Sequence, residues 1–433
     1  MANLIPESVT LCIFDREARR YGVSWVTEDR GEPVLQYTKE DDTAFAHAVT
    51  VRAESSDSVG GYQNRAVIAG LEPGEQCRWR VGNLPEGGEG TECWSEDAVF
   101  RALSGREDAM EFFYMTDSQD DNHLGSWWIP AWKDARSRYP GCEFLVHGGD
   151  FVQLSGRRDY WREMTGINRE FLRSVPMLPI AGNHDYWRCY LYENLSTFAK
   201  HVHIGYEEQD TTNGVYYSAD IGPVHFTCLN SGDAMVTGGA LTEKQMEFLT
   251  RDLASADRPW KIVCIHNPLY SPGKYGSDPK RNGPALALRA QLNRLFAENG
   301  VDLVLSGHDH MYFRSHPVTA DGEPQTDCES VRFSSDGTEG TMLLDPRGPV
   351  HFMAGCCGDQ CRWALPDIPE EYSRFFAESG DMTEETVAYA AVRVEGDCLT
   401  LRYHAVSVKD GTETERRIFG IKAAAKFRGN LNK

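Results

Sequence analysis

The sequence predicts an all-β N-terminal sandwich followed by an α/β domain, and three observations support this fold class. Residues 7–102 contain short segments of alternating hydrophobicity separated by turn signals, which is typical of a β-sandwich. After a short linker at 103–110, apolar runs alternate with helical patterns. Between Glu111 and His310, five apolar runs each end in Asp, Asn or His. Such polar strand ends predict a functional site at the carboxyl edge of a sheet.

Length, composition and charge limit the class of protein. A chain of 433 residues is too long for a single core, so we expect two or three domains. The hydrophobic share of 41% is ordinary for a globular protein, and no apolar run approaches the length of a membrane span. A net charge of −21 argues against non-specific binding to nucleic acid or to an anionic membrane. An anionic substrate would therefore need a local positive centre, such as a metal.

The cysteines and the first residues bear on location. Twelve cysteines are far too few for a disulfide scaffold, and Cys228 and Cys264 lie inside apolar strands, where buried reduced thiols are expected. The first residues lack the basic and apolar regions of a secretory signal. We therefore expect a reducing, cytoplasmic location.

The first domain is predicted over residues 1–102. Its phrase Gly-Leu-Glu-Pro-Gly-Glu-Gln-Cys-Arg-Trp-Arg-Val at 70–81 resembles a phrase of fibronectin type III domains. The segment contains no cluster of metal-ligating or catalytic residue types, so a structural or docking role is expected.

Strands and helices alternate in the second domain, predicted over residues 108–408. The apolar runs predict buried strands at 112–115, 144–146, 175–180, 224–229, 261–265 and 301–305. The amphipathic patterns predict helices at 127–138, 161–173, 191–200, 243–253 and 284–298, with Thr242 as the N-cap of the fourth. Residues 317–349 read as an irregular excursion with a hairpin, 387–408 as a second hairpin, and 409–433 as a basic C-terminal tail.

The five polar strand ends form the candidate site. They are Asp117 with Gln119, Asp150, Asn183-His184 in a Gly-Asn-His-Asp phrase, His266, and His308 with His310 in a Gly-His-Asp-His phrase. Carboxylates, amides and imidazoles are ligands that suit Mn²⁺, Fe or Zn²⁺ rather than a soft thiolate site. Each motif alone also fits a turn or a helix cap, but all five in this order predict a two-metal site.

The order of these motifs resembles the calcineurin-like metallophosphoesterase superfamily, and the all-β domain in front makes the chain similar to purple acid phosphatases. The resemblance implies a four-layer domain of two mixed sheets flanked by helices. It implies that Asp150 bridges two metal ions, with Asp117 and His310 on the first ion and Asn183, His266 and His308 on the second. It assigns His184 to the leaving oxygen of the substrate.

The activity implied by the resemblance is hydrolysis of a small phosphorylated substrate. A metal-bound hydroxide would attack phosphorus while His184 assists the leaving group, and Asp185 would either orient His184 or cap the following turn. A phosphomonoesterase of the acid-phosphatase type is expected, with a phosphodiesterase acting on nucleotides or cyclic nucleotides as the alternative. A non-catalytic binding protein on the same scaffold is the rival from another class. A dinucleotide oxidoreductase is disfavoured because no Gly-x-Gly-x-x-Gly follows the first strand.

Other polar residues carry weaker hypotheses. His147 is either a support for the site or a satisfied core histidine, and His225 is expected to be structural. Tyr270, Lys274 and Tyr275 line a phosphate pocket or a solvated loop. The thiols of Cys356, Cys357 and Cys361 lack the second pair that a structural zinc site needs.

The sequence departs from the family at two positions. Purple acid phosphatases carry a tyrosine three residues after the bridging aspartate, where this chain has Gln153, and the alternative histidine two residues after the first aspartate is Gln119 here. We therefore expect Gln119 as a neutral ligand, two divalent ions of Mn, Fe or Zn and a colourless protein. His123 is the alternative ligand for the first ion, and Tyr186 is the candidate if the protein is coloured.

Overall fold

The computed structural model describes residues 3–58, 60–84, 93–185, 197–206, 215–232, 238–360 and 364–428. The N-terminal part is all-β, as predicted. Its strands are β1 Glu7–Ile13, β2 Tyr21–Thr27, β3 Glu32–Lys39, β4 Val49–Arg52, β5 Glu54–Ser58, β6 Gly61–Ile68, β7 Gln76–Leu84, β8 Cys93–Trp94 and β9 Ala98–Arg101. In β7, Cys77, Trp79 and Val81 alternate inward and are buried, which is the period that the sequence shows.

The second part alternates strands and helices before it ends in long antiparallel strands. Its strands are β10 Ala109–Met115, β11 Phe144–His147, β12 Met177–Pro179, β13 Tyr217–Ile221, β14 Val224–Leu229, β15 Trp260–Ile265, β16 Leu303–Leu305, β17 Tyr312–Ser315, β18 Ser330–Ser335, β19 Thr338–Leu344, β20 Val350–Ala354, β21 Phe376–Gly380, β22 Thr386–Glu395, β23 Cys398–Ser407 and β24 Glu413–Lys422. The described helices are α1 Trp128–Arg138, α2 Arg158–Ile167, α3 Arg169–Leu172, α4 Thr197–His201, α5 Glu243–Ser255, α6 Lys274–Ser277, α7 Gly283–Glu298, α8 Glu370–Ser373 and α9 Ala424–Arg428.

The helices predicted at 127–138, 243–253 and 284–298 correspond to α1, α5 and α7. The hydroxyl of Thr242 accepts a hydrogen bond from the Gln245 amide at 3.3 Å and caps α5 as expected. The helix predicted over 161–173 is divided into α2 and α3 at Asn168, whose side-chain amide donates to the carbonyls of Gly125 and Met164. The helix predicted over 191–200 lies partly outside the described residues, and only α4 represents it.

Three sheets organise these strands, and both sheets of the second part are mixed. The largest has twelve strands in the order β18-β19-β24-β23-β22-β10-β11-β12-β1-β2-β6-β5. The second has seven in the order β13-β14-β15-β16-β20-β17-β21. The third belongs to the N-terminal part, with β4-β3-β7-β8 in line and β9 paired to β7. Two packed sheets with helices outside them confirm the fold class that the sequence predicts.

The N-terminal part is joined to the second part through the largest sheet. Strand β1 pairs in parallel with β12, with Cys12 opposite Met177. The hydroxyls of Thr10 and Ser24 also donate to the carbonyls of His201 and Lys200, at 2.6 and 2.8 Å. The two parts therefore share backbone structure as well as a side-chain interface.

Aromatic side chains fill the space between the two sheets of the second part. Phe112 of β10 contacts Phe226 of β14 edge to face, with ring centroids 5.3 Å apart, and stacks on Phe144 of β11. Nearer the strand ends, Tyr114 packs on Phe352 at 6.2 Å. This core fixes the carboxyl ends of the two sheets relative to each other, and the candidate site lies at those ends.

The prediction of a C-terminal tail over 409–433 is wrong for the described residues to 428. Strand β24 pairs with β23 on one side and with β19 on the other, so it is an interior strand of the largest sheet. Beyond it, Lys426 of α9 binds both carboxylate oxygens of buried Asp302 at 2.6 and 2.7 Å. The basic residues around Ile418 and Phe419 obscure the pattern of a strand whose partners are distant in sequence.

Within the described ranges, no helix has the length and apolar character needed to cross a membrane.

Candidate metal centre

The fold brings all five polar strand ends together. Strands β10, β11 and β12 pair in parallel in the largest sheet, and β15 and β16 pair in parallel in the second. Because parallel strands present their carboxyl ends at one edge, the residues that follow them meet in the crevice between the sheets. This arrangement places Asp117, Asp150 and Asn183 opposite His266 and the His308–His310 pair.

Four of these residues have backbone conformations that non-glycine residues rarely adopt. The φ angles of Asp117, Asp150, His308 and His310 are +53°, +54°, +73° and +55°. Residues held in this region cost about 1–3 kcal/mol each and persist only where the surroundings enforce them. Their concentration at one sheet edge indicates that the turns are shaped to aim these side chains rather than to maximise stability.

The first group of potential ligands contains Asp117, Asp150 and His310. One ligand atom from each lies within 4.8 Å of the others, and all three residues are buried. His310 Nε2 is 3.1 Å from Asp117 Oδ1. Gln119 joins them, because its Nε2 is 3.3 Å from Asp150 Oδ2 and 3.2 Å from His310 Nε2.

The second group contains Asp150, His266 and His308, which are also buried and within the same 4.8 Å limit. His266 Nε2 is 3.1 Å from Asp150 Oδ2, and the rings of His266 and His308 are 5.2 Å apart. Asp150 therefore belongs to both groups, which is the geometry of a carboxylate shared between two ions.

The charges of Asp150 and His266 shift each other's pKa. Burial alone would raise the pKa of Asp150, but the charges of His266 and His184 outweigh it and hold that pKa well below its usual range. Burial would lower the pKa of His266, but the carboxylate of Asp150 outweighs it and raises the pKa to about 9. The carboxylate of Asp150 and the imidazole of His266 therefore stabilise each other's charged forms.

Backbone carbonyls orient two of the imidazoles, and no sequence pattern signals these contacts. His266 Nδ1 lies 2.8 Å from the carbonyl oxygen of Gly148, and His310 Nδ1 contacts the carbonyl oxygen of Gln360. Each Nδ1–H donates to its carbonyl, which leaves Nε2 as the nitrogen that faces the carboxylates. Tautomer and ring orientation are therefore set for metal binding.

Two glycines of the motifs are required by close approach. A Cβ at Gly182 would lie 2.2 Å from Asp150 N and Oδ1, and a Cβ at Gly307 would lie 2.2 Å from the Thr116 hydroxyl oxygen and 2.4 Å from Asp117 Oδ2. Any larger side chain at these positions would displace the two aspartates. The motif glycines thus make room for the carboxylates.

His184 and Asp185 lie beside Asp150 with different contacts. The backbone amide of His184 donates to Asp150 Oδ1 at 2.7 Å, and its Nδ1 lies 3.1 Å from the carbonyl oxygen of Gln153. The carboxylate of Asp185 accepts hydrogen bonds from the amides of Gly182 and Phe151, each at 2.8 Å. Burial, with the charge of Asp150 second, raises the pKa of Asp185 to about 7. These contacts support a role for Asp185 in holding two loops, and its predicted part in the chemistry stays a prediction.

Three other histidines are not members of the two ligand groups. His147 is buried, and its Nε2 is 2.9 Å from the Ser118 hydroxyl, so it is a satisfied core histidine whose pKa burial lowers to about 3. His225 lies between Asp220 and Asp252, at 2.6 and 2.9 Å, in keeping with a structural role.

His123 is the third. Its side chain is 40% exposed and faces Asp120 and Asp359 at 3.7 and 3.4 Å, and its ring packs on Trp127. These carboxylates form a separate group beside the centre, outside the two buried ones.

The loop after His266 is divided between core and site. Tyr270 is buried, and its hydroxyl accepts a hydrogen bond from Asn293 while its ring lies 4.3 Å from the Arg289 guanidinium, so Tyr270 packs in the core. Tyr275 instead lies against His308, with ring centroids 4.2 Å apart, and the Lys274 ammonium lies 4.7 Å from the Tyr275 ring.

The structure describes two of the three cysteines considered for a zinc site, Cys356 and Cys357. Cys356 and Cys357 are buried, and the amide of Cys357 donates to the carbonyl of Thr116 at 3.0 Å. This turn therefore supports the backbone that carries Asp117. Cys361 and Tyr186 lie outside the described residues.

The donor atoms present fit a pair of divalent metal ions. Gln119 Oε1 and Asn183 Oδ1 are buried amide oxygens without a hydrogen-bond partner, which is costly unless a cation or water engages them. Together with two carboxylates and three imidazoles they form an oxygen- and nitrogen-rich set suited to Mn, Fe or Zn.

Comparison with known proteins agrees with this geometry. The family profile described as calcineurin-like phosphoesterase matches residues 121–312, and the profile of the purple acid phosphatase N-terminal domain matches residues 6–102. The fold is similar to that of a purple acid phosphatase from yellow lupin seeds, with a TM-score of 0.74 and 17% identity over 98% of this chain and 76% of that one. The chain therefore contains a calcineurin-like phosphoesterase domain, preceded by a purple acid phosphatase N-terminal domain.

The relatives of the chain include acid phosphatases and purple acid phosphatases. Acid phosphatase type 7 of Danio rerio is 23% identical over 385 residues, 78% of this chain and 75% of that protein. The human acid phosphatase type 7 is 26% identical over 318 residues, 69% of this chain and 64% of that protein. Purple acid phosphatase 15 of Arabidopsis thaliana is 27% identical over 213 residues, 48% of this chain but only 34% of that protein.

Proposed function

We propose that this chain is a dinuclear metal-dependent phosphoester hydrolase, and that it acts as a phosphomonoesterase on small phosphorylated substrates. The observation that carries the proposal is the pair of buried ligand groups that share Asp150. The acid phosphatases among its relatives support the same reaction class. Asp117, Gln119, Asp150 and His310 would hold the first ion, and Asn183, His266 and His308 would share Asp150 to hold the second.

The ions, when bound, would neutralise phosphate oxygens and lower the pKa of a water for attack on phosphorus. The chain's own residues position this chemistry. Asp150, which belongs to both ligand groups, would contribute to holding both ions, and the carbonyls of Gly148 and Gln360 hold the imidazoles of His266 and His310 in one orientation. The reaction then depends on positioning and electrostatics, with little covalent chemistry asked of the protein.

His184 is proposed to assist the leaving group. Its Nδ1 lies 3.1 Å from the Gln153 carbonyl oxygen, and its backbone amide donates to Asp150 Oδ1. A doubly protonated His184 imidazole would pass one proton to the departing alkoxide and become neutral, which would make poor leaving groups reactive.

The test is hydrolysis by metal-reconstituted protein. Full-length protein is stripped with a chelator, reloaded with Mn²⁺, Zn²⁺ or Fe²⁺, and assayed on aryl phosphate mono- and diesters, nucleotides and cyclic nucleotides. We expect turnover that requires metal and favours monoesters. Faster turnover of diesters would support the phosphodiesterase alternative. Two bound ions without turnover of any ester would show a non-catalytic binding protein.

The setting is proposed as cytoplasmic. All ten cysteines in the described part of the chain are free, as a reducing compartment requires. Cell fractionation with an antibody to the chain tests this.

The N-terminal domain is proposed to be fibronectin type III-like and structural, because it shares a sheet with the catalytic part.

A further inference from the structure

Two glutamines follow the two central aspartates, and their contacts differ. Gln119, two residues after Asp117, is fully buried. Its Nε2 lies 3.3 Å from Asp150 Oδ2 and 3.2 Å from His310 Nε2, so the carboxamide lies within the first ligand group. Its Oε1 is buried without a hydrogen-bond partner. A half-turn of the terminal amide exchanges these two atoms and brings the oxygen to the ligands.

Gln153, three residues after Asp150, is directed away from the centre. Its Nε2 donates to Asp121 Oδ2 at 2.9 Å, and its backbone carbonyl is the acceptor for His184. The side chain therefore links the loop after β11 to the loop after β10. It offers no donor atom to the shared carboxylate.

His123, the other residue with a suitable donor, is held by a different set of groups. Its Nδ1 is 3.4 Å from Asp359 and 3.7 Å from Asp120, and the ring is stacked on Trp127 at 4.7 Å. Reaching the first ligand group would require breaking all three contacts, whereas Gln119 is already there.

We propose that Gln119 supplies a neutral amide oxygen to the ion held by Asp117, Asp150 and His310, and that this makes the first position selective for divalent ions. The proposal rests on the dinuclear centre proposed above. Within the two described ligand groups the only anions are two carboxylates, one of them shared. A trivalent ion would leave an additional uncompensated charge in a fully buried site, while amide and carboxylate oxygens with imidazole suit Mn²⁺, Fe²⁺ and Zn²⁺.

The test measures metal binding rather than turnover. Full-length protein is stripped, titrated with Mn²⁺ or Zn²⁺ by calorimetry, and analysed for bound metal after desalting. Gln119→Met keeps the shape of the side chain and removes the oxygen. We expect it to weaken one of two binding events at least about 10-fold, the lower end of what losing even an indirect contact to a metal ligand costs. Gln119→Glu should retain both ions and raise the affinity for Fe³⁺ relative to Fe²⁺.

Two matched controls separate Gln119 from its neighbours. Gln153→Met makes the same chemical change three residues after the other aspartate, and His123→Asn removes the competing imidazole. Both should bind two ions with unchanged affinity. Loss of one ion in His123→Asn, or unchanged affinity in Gln119→Met, would overturn the assignment.

Two further measurements complete the test. Wild-type protein loaded with iron in air should show no strong visible absorption band, and a tyrosinate-to-iron band would overturn the divalent assignment. If Gln119→Met does not fold, Gln119→Glu decides, because a carboxylate that is not a ligand would leave the Fe³⁺ preference unchanged. Two bound ions with no esterase activity would contradict the proposed function and leave the role of Gln119 standing.

Discussion

The carboxylate of Asp309 accepts a hydrogen bond from the hydroxyl of Ser271 at 2.6 Å, and both residues are fully buried. Asp309 lies between the two histidines of the Gly-His-Asp-His phrase, and its Oδ2 also accepts from the amide of Gly276 at 3.3 Å. The loop after β15 is thereby fixed against the turn that carries His308 and His310. The carboxylate between His308 and His310 thus holds in place the loop that borders the site.

Replacing this carboxylate should loosen that wall. Asp309→Ala leaves the Ser271 hydroxyl and the Gly276 amide without an acceptor, and each buried unsatisfied group costs about 1–3 kcal/mol. We expect the free energy of unfolding in urea to fall by about 2–6 kcal/mol, the sum for the two groups. Asp309→Asn keeps an acceptor oxygen and should lose less, and Ser271→Ala should lose about 1 kcal/mol. An Asp309→Ala variant as stable as wild type would contradict this role.

Asp150 should be indispensable for both ions. Asp150→Asn keeps the shape but removes the shared negative charge, so we expect loss of both metal equivalents and of turnover. The measurement is metal content together with hydrolysis of an aryl phosphate. Asp257→Asn is the matched control, since this carboxylate is 89% exposed and should change neither. Full activity in Asp150→Asn would refute the bridging assignment.

His184→Ala should separate chemistry from metal binding. We expect the rate to fall by roughly 10²–10⁴-fold, the usual range for general acid–base help, with metal content near normal. Metal content should survive because the backbone amide of His184, which alanine retains, donates to Asp150. Esters with good leaving groups should lose less rate. Equal losses for good and poor leaving groups would argue against proton donation.

The junction between the two parts should have a pH-dependent stability. Arg16 of the N-terminal part binds Asp220 and Asp252, each at 3.0 Å, and His225 lies between the same two carboxylates. Burial would lower the pKa of His225, but its two hydrogen-bonded carboxylates outweigh it and raise the pKa above 6.5. Burial would raise the pKa of Asp220 and Asp252, but the hydrogen bonds with His225 outweigh it and lower both below 3.8.

The pH range in which these groups stabilise the fold follows from the directions of the three pKa shifts. The stabilisation by His225 is complete below its unfolded pKa of 6.5 and is lost as the pH rises through the raised folded value. That of the carboxylates is complete above 3.8 and is lost as the pH falls through the lowered values. The difference in unfolding free energy between wild type and His225→Asn should therefore be largest between these limits, at about 1–3 kcal/mol.

Urea unfolding from pH 4 to 9 measures this difference. Arg16→Met is the control, because a guanidinium stays charged over the whole range and its contribution should not fall above pH 6.5. A His225→Asn effect that stays constant or grows towards pH 9 would contradict the account.

Removing the N-terminal domain should damage the catalytic part. Without residues 1–102, the edge of β12 and the apolar surface around Met177 are exposed, which favours aggregation. We expect fragment 103–433 to be insoluble or aggregated in size-exclusion chromatography. Full-length Thr10→Val, which removes only one bond to α4, should remain soluble. A soluble, fully active fragment would show an independent docking module.

The local parts of the fold and site could be predicted from the sequence. An apolar run with a polar end is a local pattern. It correctly predicts strands β10, β11, β15 and β16 and the polar residues that follow them. The N-cap Thr242 and the proline near the start of α7 are local signals of the same kind. These features depend on neighbours within a few residues.

Features with distant partners could not be predicted in this way. Strand β24 is stabilised by hydrogen bonds to β19, about eighty residues earlier, and its basic composition suggested a tail. The sequence leaves open whether Asp185 orients His184 or caps the following turn, and its hydrogen bond with the amide of Phe151, in a loop more than thirty residues earlier, belongs to neither pattern. The carbonyls of Gly148 and Gln360 act without any side chain that a sequence pattern could reveal.

The residue types at the five strand ends, and hence the oxygen and nitrogen donors available to a metal, can be read from the sequence alone. Which of these donors meet depends on how the sheets pack. The inter-sheet core around Phe112 and Phe226 aligns the ends of two separate sheets, and four left-handed backbone turns aim Asp117, Asp150, His308 and His310 into the gap. Distances of about 3 Å between residues far apart in the chain arise from this packing, because no local propensity acts over such separations.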